Sequence, residues 1–136
     1  MIVAVCIEDR GGMLFNHRRV SRDKAQQEDL LALCGQRTLR IAPSSEALFR
    51  EQAERVTVDE AFLENAGEGE VCFVEDRPLL PVQERLEKLV VYRWNRSYPS
   101  DFRLDLRLEE WTLTEQREFP GNSHENITRE IYERRD

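Results

Sequence analysis

An uncharged apolar run opens the chain and predicts its central strand. Residues 1–7 read Met-Ile-Val-Ala-Val-Cys-Ile, so both faces of an extended backbone there are apolar. The β-branched residues in the run favour a pleated conformation. A strand that is apolar on both faces is typical of the middle of a sheet that is covered on both sides. We therefore expect later segments to close around residues 1–7.

Strand-like and helix-like segments alternate over residues 8–94. Residues 8–19 are predicted to be a loop, because Gly11 and Gly12 interrupt the strand pattern, and its apolar triplet 13–15 indicates that it folds back over a cleft or the core. The predicted strands cover residues 38–42, 55–58, 71–74 and 88–94, and the predicted helices begin at Ser21, Ser44, Asp59 and Pro78, the first ending at Gly35. This alternation indicates a parallel sheet with helices on its faces.

The pattern changes after residue 94. Residues 104–108, 111–118 and 127–133 alternate between apolar and polar or charged positions, which is typical of half-buried strands. Alternation that follows a parallel core predicts a closing antiparallel hairpin, with Trp111 and Ile131 packed in the core. The expected architecture is one α/β domain over residues 1–136, in which a mainly parallel central sheet carries helices on both faces and an antiparallel C-terminal hairpin at one edge.

Composition places the chain among soluble globular proteins. Of the 136 residues, 40% are hydrophobic and 35% are charged, which suits a single core with a highly charged surface. No apolar run is long enough to span a membrane, and the start lacks the basic region and cleavage site of a signal peptide. We therefore expect a cytoplasmic protein. The net charge of −7 disfavours nucleic acid as a partner, and no membrane partner is expected either.

The residues that usually carry chemistry form few recognisable motifs. Cys6, Cys34 and Cys72 are widely spaced and odd in number, so we expect free thiols, with Cys6 and Cys72 buried on neighbouring strands. The two histidines, His17 and His124, lie far apart, and no His-x-His-x-Asp or Cys-x-x-Cys motif occurs, so no metal site is expected. The chain also contains no Gly-x-Ser-x-Gly elbow and no Walker-type loop.

The order of these segments resembles dihydrofolate reductase. The runs that carry the resemblance are Ile2-Val-Ala-Val before Gly11-Gly12, Val56-Thr-Val-Asp-Glu-Ala, Glu70-Val-Cys-Phe-Val, Lys88-Leu-Val-Val-Tyr-Arg-Trp, Ser100-Asp-Phe, Trp111-Thr-Leu and Glu130-Ile-Tyr-Glu-Arg. They follow the family's order over nearly the whole chain. One strand or long loop is missing between the second helix and Val56. The resemblance implies a dihydrofolate reductase-like fold.

The resemblance also implies candidate site residues. In the family, a lone carboxylate at the start of the first helix assists protonation of the pterin ring, and Asp23 stands at that place. The alternative is that Asp23 is a solvated residue of the first turn whose negative charge interacts favourably with the helix dipole. The absence of the family's Leu-Pro-Trp stretch, which His17-Arg-Arg-Val replaces, favours this alternative. The residues expected to bind substrate or another ligand are Val5, Phe15, Arg19, Ser44 and Glu75.

The cofactor motifs of the family are altered. A Gly-Gly pair, which lets the backbone approach the pyrophosphate of the dinucleotide, is replaced after residues 71–74 by Glu75-Asp-Arg-Pro. Ile41-Ala-Pro-Ser likewise replaces the Gly-Arg-x-Thr stretch before the second helix. Two carboxylates would repel a pyrophosphate, and their side chains would fill its space.

Two functional hypotheses follow. The first is a non-catalytic or repurposed relative without a cofactor, which binds a small molecule or a protein partner. The alternative is an NADPH-dependent reductase of dihydrofolate or a related pterin, with an altered cofactor site.

Overall fold

The chain folds into ten strands, two α-helices and three 3-10 helical segments in a computed structural model that describes residues 1–135; Asp136, the last residue of the predicted domain, lies outside them. The strands are β1 (Ile2–Ile7), β2 (Gly12–Phe15), β3 (Arg18–Arg19), β4 (Leu39–Ile41), β5 (Val56–Val58), β6 (Val71–Phe73), β7 (Lys88–Arg93), β8 (Phe102–Arg103), β9 (Trp111–Phe119) and β10 (Ile127–Arg134). The helices are α1 (Lys24–Cys34) and α2 (Phe62–Asn65), and the 3-10 segments are Pro43–Arg55, Leu80–Arg85 and Leu108–Glu110.

The first strand lies at the centre of the main sheet, as its apolar sequence predicts. The seven strands follow the order β5-β4-β6-β1-β7-β10-β9, and β1 pairs in parallel with both β6 and β7. Strand β10 is antiparallel to β7 and β9, which makes the C-terminal hairpin the closing edge. The predicted α/β architecture with a mainly parallel sheet and an antiparallel C-terminal hairpin is therefore confirmed.

Both faces of the sheet are covered by apolar side chains. Val3 and Val5 belong to the cluster that includes Phe62 of α2 and Leu79, whereas Ala4 belongs to the cluster that includes Leu30 of α1. Val3, Ala4 and Val5 are fully buried. Successive strand residues point to opposite faces, so this burial explains why β1 contains no charge.

The prediction that residues 8–19 form a loop is wrong. Strands β2 and β3 form a hairpin there and, with β8, build a second sheet of three strands. The connecting residues Asn16 and His17 have φ angles of 51° and 64°, which are the left-handed values that tight hairpin turns require. Met13 and Leu14 are buried, so this hairpin does fold back over the core.

Several local predictions need correction. Residues 104–108 form no strand, and only Phe102–Arg103 pairs there. Helix α1 is capped by Asp23, whose carboxylate accepts a hydrogen bond from the Ala25 amide at 2.9 Å, and not by Ser21. Gly35 does end α1, with φ at 60°. Ser44 caps no helix, because its hydroxyl donates to Asp76 at 2.8 Å.

Burial of two predicted core residues is only partial. Cys72 and Cys34 are buried, but Cys6 is half-buried although β1 and β6 are neighbours as predicted. Trp111 is buried, whereas Ile131 is half-buried beside an irregularity in the pairing between β9 and β10. Among residues 1–135, no helix combines the length and apolarity needed to cross a membrane.

Candidate functional site

Asp23 lies in a buried hydrogen-bond cluster at the start of α1. Besides the Ala25 amide, its Oδ1 atom accepts from the Asn122 amide at 2.9 Å. Its Oδ2 atom accepts from the Ser123 amide at 2.8 Å and lies 2.9 Å from Nδ1 of His124. The sequence-predicted catalytic carboxylate therefore faces the loop between β9 and β10, residues 120–126.

Gly121 allows this loop to approach the carboxylate. A Cβ atom at Gly121 would lie 2.6 Å from Oδ2 of Asp23 and 2.8 Å from the carbonyl oxygen of His124. The Gly121 amide also donates to that carbonyl at 3.0 Å, which closes the loop on itself. A larger residue would push the loop away from the start of α1.

The donors around Asp23 keep it ionised. Burial alone would raise the pKa of the Asp23 carboxyl, but hydrogen bonds from Asn122, His124 and Ser123 outweigh burial and lower that pKa below its ordinary value. An ionised Asp23 accepts a hydrogen bond from Nδ1–H of His124, so the proton of the neutral imidazole lies on Nδ1 and Nε2 is an acceptor.

The second ring nitrogen of His124 meets two hydroxyl groups. Nε2 lies 2.9 Å from Oγ of Ser21 and 2.9 Å from the hydroxyl of Tyr98. The ring also stacks on Trp94, with 4.5 Å between centroids and 17° between planes. We call Ser21, Asp23, Tyr98, Ser123 and His124 the His124 cluster. No local pattern in the sequence marks the contact between His124 and Asp23, because 101 positions separate the two residues.

Three of the predicted ligand-binding residues meet in a separate cleft. Arg19, Ser44 and Glu75 line a cavity of about 370 Å³ between the β2–β3 hairpin and the carboxyl ends of β4 and β6. Its other lining residues are Leu14, His17, Arg18 and Asp76. We call it the Arg19 cleft. Val5 and Phe15 do not line it, since Val5 is fully buried in β1 and Phe15 is half-exposed at the tip of β2.

A bidentate ion pair closes one wall of the Arg19 cleft. Nε of Arg19 donates to Oε2 of Glu75 at 2.8 Å, and Nη2 donates to Oε1 at 3.0 Å. The hydroxyl of Ser45 also donates to Glu75, at 2.7 Å. Asp76 pairs with Arg77 at 3.0 Å. The two carboxylates are therefore neutralised, and the expected obstacle to a pyrophosphate is filled space rather than unpaired negative charge.

Carboxylates of the chain also accept hydrogen bonds from amides at the starts of three helical segments. Exposed amides at a helix start usually attract anions. At the segment Leu80–Arg85, the Leu79 and Leu80 amides donate to Asp105 at 2.9 and 3.0 Å. Asp59 likewise accepts from the Ala61 amide at α2, and Asp23 accepts from the Ala25 amide at α1. At Pro43–Arg55 the donor to a carboxylate is the side-chain hydroxyl of Ser45, which binds Glu75. These positions offer few free donors to a phosphate.

Comparison with known proteins identifies the fold. No protein-family model matches the chain, and no curated protein matches it. Among solved structures, a dihydrofolate reductase from Enterococcus faecalis complexed with NADP(H) and RAB-propyl matches 100% of this chain and 97% of its own, with a TM-score of 0.69. The chain has the dihydrofolate reductase fold. At 12% sequence identity, this similarity supports the fold but assigns no functional role to any residue.

The dihydrofolate reductase-like fold places the two groups of polar residues at different positions. The His124 cluster joins the start of α1 to the closing hairpin, and the Arg19 cleft lies at the ends of β4 and β6. Within residues 1–135, no three His, Cys, Asp or Glu side chains are grouped as ligands for a metal ion.

Proposed function

We propose that the chain is a dihydrofolate reductase-like protein that is repurposed for ligand binding and does not use a nicotinamide dinucleotide. The observation that carries this proposal is that carboxylates of the chain already occupy these donors, above all Asp105 on the Leu79 and Leu80 amides and Glu75 on Arg19 and Ser45. A pyrophosphate needs such donors, and here they are already bound.

The energy needed to free these donors supports the same conclusion. A hydrogen bond to a charged group contributes about 1.5–3 kcal/mol. Displacing Asp105 and Glu75 would break several of them and would leave Arg19 without its partner. Micromolar binding supplies only about 8 kcal/mol in all. Most of the binding free energy of a dinucleotide would be lost in opening its own site.

The Arg19 cleft is the proposed binding site, and a small molecule that carries a carboxylate is the proposed ligand. Arg18 lines the cleft and is exposed, and it forms no ion pair with any residue in the described part of the chain. A guanidinium group binds a carboxylate in a two-pronged geometry. His17 and Ser44 add polar groups to the same wall.

Calorimetric titration with NADPH tests the proposal. We expect no binding at micromolar concentrations by the wild type, and weak binding by the double variant Glu75→Gly with Asp76→Gly or by Asp105→Asn. Glu84→Gln is the matched control, because Glu84 is an exposed carboxylate in the segment Leu80–Arg85, at whose start Asp105 binds. Micromolar NADPH binding by the wild-type protein would contradict the proposal.

The alternative function is NADPH-dependent reduction of dihydrofolate or a related pterin. Buried Asp23 at the start of α1 favours it, since the family's proton-relay carboxylate stands at that place and the fold matches a reductase over its length. In this alternative Asp23 is the catalytic residue, and Val5, Phe15, Arg19, Ser44 and Glu75 bind the substrate. Oxidation of NADPH that requires dihydrofolate and is abolished by Asp23→Asn, but not by the exposed Asp9→Asn, would establish it.

A further inference from the structure

We propose that Ser21, His124 and Asp23 form a nucleophilic site in which Ser21 accepts the acyl group of a short carboxylic ester. Oγ of Ser21 lies 2.9 Å from Nε2 of His124, and Nδ1 of the same ring lies 2.9 Å from Oδ2 of Asp23. A nucleophile that contacts a base, which a third group orients in turn, is the arrangement that activates a serine.

The imidazole is held in the orientation that this chemistry needs. Asp23 fixes the proton on Nδ1, so the lone pair of Nε2 points to Ser21 and Tyr98. Stacking on Trp94 fixes the plane of the ring. The side chains of His124 and Asp23 are 1% and 0% exposed, so water does not compete for the contact between them.

Asp23 is a positioning residue in this site. The amides of Asn122 and Ser123 hold its carboxylate, which fixes the imidazole through Nδ1. A buried carboxylate next to the ring also stabilises the imidazolium that forms when Nε2 takes a proton. Because Gly121 has no side chain, the loop can come close enough to Asp23 for this arrangement.

Ser21 itself is partly exposed between β3 and α1. The Tyr98 hydroxyl lies 3.3 Å from its Oγ atom and shares Nε2 of His124. When Ser21 donates its proton to Nε2, Tyr98 is left as a second hydroxyl donor beside the attacking oxygen. The cluster thus contains a base and an additional donor within reach of Ser21.

A polar cavity lies beside Trp94, the residue that stacks on His124. It has a volume of about 360 Å³ and is lined by Trp94, Asn95, Arg96, Glu125 and Asn126. Nε1 of Trp94 is buried without an acceptor among residues 1–135. This polar lining disfavours a long hydrocarbon chain on the Trp94 side of His124, which favours a short ester.

The reaction balances with an ester and water alone. Oγ of Ser21 attacks the ester carbonyl while its proton moves to Nε2 of His124, and the carbon–oxygen bond to the alcohol then breaks as the imidazolium returns the proton to the leaving oxygen. Water then attacks the acyl carbon while its proton moves to Nε2, the bond from that carbon to Oγ of Ser21 breaks, and the imidazolium returns the proton to Oγ, which releases the carboxylic acid.

Labelling with a fluorophosphonate tests the nucleophile directly. Its phosphorus bonds to Oγ of Ser21, fluoride leaves and the proton passes to His124, so mass spectrometry locates the adduct. We expect labelling of the wild type and of Ser97→Ala, the control for an exposed serine, and none at this site in Ser21→Ala. Loss of the base in His124→Gln should slow labelling by about 100-fold or more. Absence of an adduct on folded wild-type protein overturns the proposal.

A cysteine variant covers the case in which His124→Gln fails to fold. In Ser21→Cys the imidazole should increase thiolate formation, so iodoacetamide at pH 6 should alkylate position 21 at least ten times faster than position 97 in Ser97→Cys. Equal rates at the two positions overturn the proposal.

A pH profile separates positioning by Asp23 from a merely structural role. The pH at which labelling reaches half its maximal rate should fall in Asp23→Asn, because the protonated imidazole loses its negative partner; an unchanged profile in the folded variant contradicts the role of Asp23. Hydrolysis of p-nitrophenyl acetate by the wild type, lost in Ser21→Ala, completes the test. None of these readouts depends on NADPH.

Discussion

The imidazole of His124 donates from Nδ1 to Oδ2 of Asp23 across 2.9 Å, although 101 positions separate the two residues in the chain. The contact ties the loop of the closing hairpin to the start of the first helix. Both side chains are buried, so water cannot replace this hydrogen bond when it is broken. The His124 cluster is therefore expected to contribute to stability as well as to chemistry.

Asp23→Asn should reduce the free energy of unfolding by about 1–3 kcal/mol at pH 7, the usual result of leaving buried donors poorly paired. The folded state lowers the pKa of Asp23, so its stabilising contribution is present above the unfolded-state pKa of 3.8 and is lost as the pH falls toward the folded-state pKa. The difference between wild type and variant should therefore shrink below about pH 4. Urea unfolding from pH 3 to 7 measures it, and Asp9→Asn, at an exposed carboxylate, should show no such difference.

Gly121→Ala should destabilise the protein by about 1–3 kcal/mol, because the new methyl group would overlap Asp23 and the His124 carbonyl. It should also slow fluorophosphonate labelling of Ser21. Gly67→Ala is a suitable control, since its Cβ would meet only the flexible end of Glu70, at 3.3 Å. Equal melting temperatures of the two variants would show that the loop does not need glycine at position 121.

Two isoleucines of β10 should differ in their effect on stability. Ile127 is fully buried, so Ile127→Ala should lower the free energy of unfolding by about 2–5 kcal/mol. Ile131 is half-buried, so Ile131→Ala should lower it by less. Chemical denaturation of both variants provides the comparison. Deletion of residues 127–136 should leave the chain unfolded, because β7 and β9 would lose their shared partner. A truncated chain that unfolded cooperatively would argue against the closing role of this strand.

The cysteines should react with thiol reagents at different rates. Burial raises the pKa of Cys72 to about 12, and burial with the nearby charges of Glu75 and Asp23 also raises the pKa of Cys6. Native protein should therefore react slowly with Ellman's reagent, with half-buried Cys6 ahead of buried Cys34 and Cys72. All three should react rapidly in guanidinium chloride. Rapid native labelling of Cys72 would contradict its place in the core.

Local pattern accounts for the parts of the fold that were predicted correctly. Apolar residues on both faces indicate a central strand, and β1 is one. Alternation after the parallel core indicates a closing antiparallel hairpin, and β9 with β10 forms one. The half-buried pattern that alternation predicts is not found in β9, because residues 112–118 are exposed. The β2–β3 hairpin was missed because its turn depends on left-handed backbone at Asn16 and His17, residues that also occur in ordinary loops.

The sequence by itself determined which segments are buried and in what order strands and helices alternate. Side chains of a strand or helix face the core at regular intervals, so apolar residues recur with that period along the chain. The resemblance to dihydrofolate reductase also indicated Arg19, Ser44 and Glu75 as candidates, and the fold brings these three residues together. Only the tertiary structure decided that Asp105 occupies a helix start and that His124 meets both Ser21 and Asp23. Hydrogen bonds between distant loops depend on the path of the folded backbone, and that path leaves no period in the sequence.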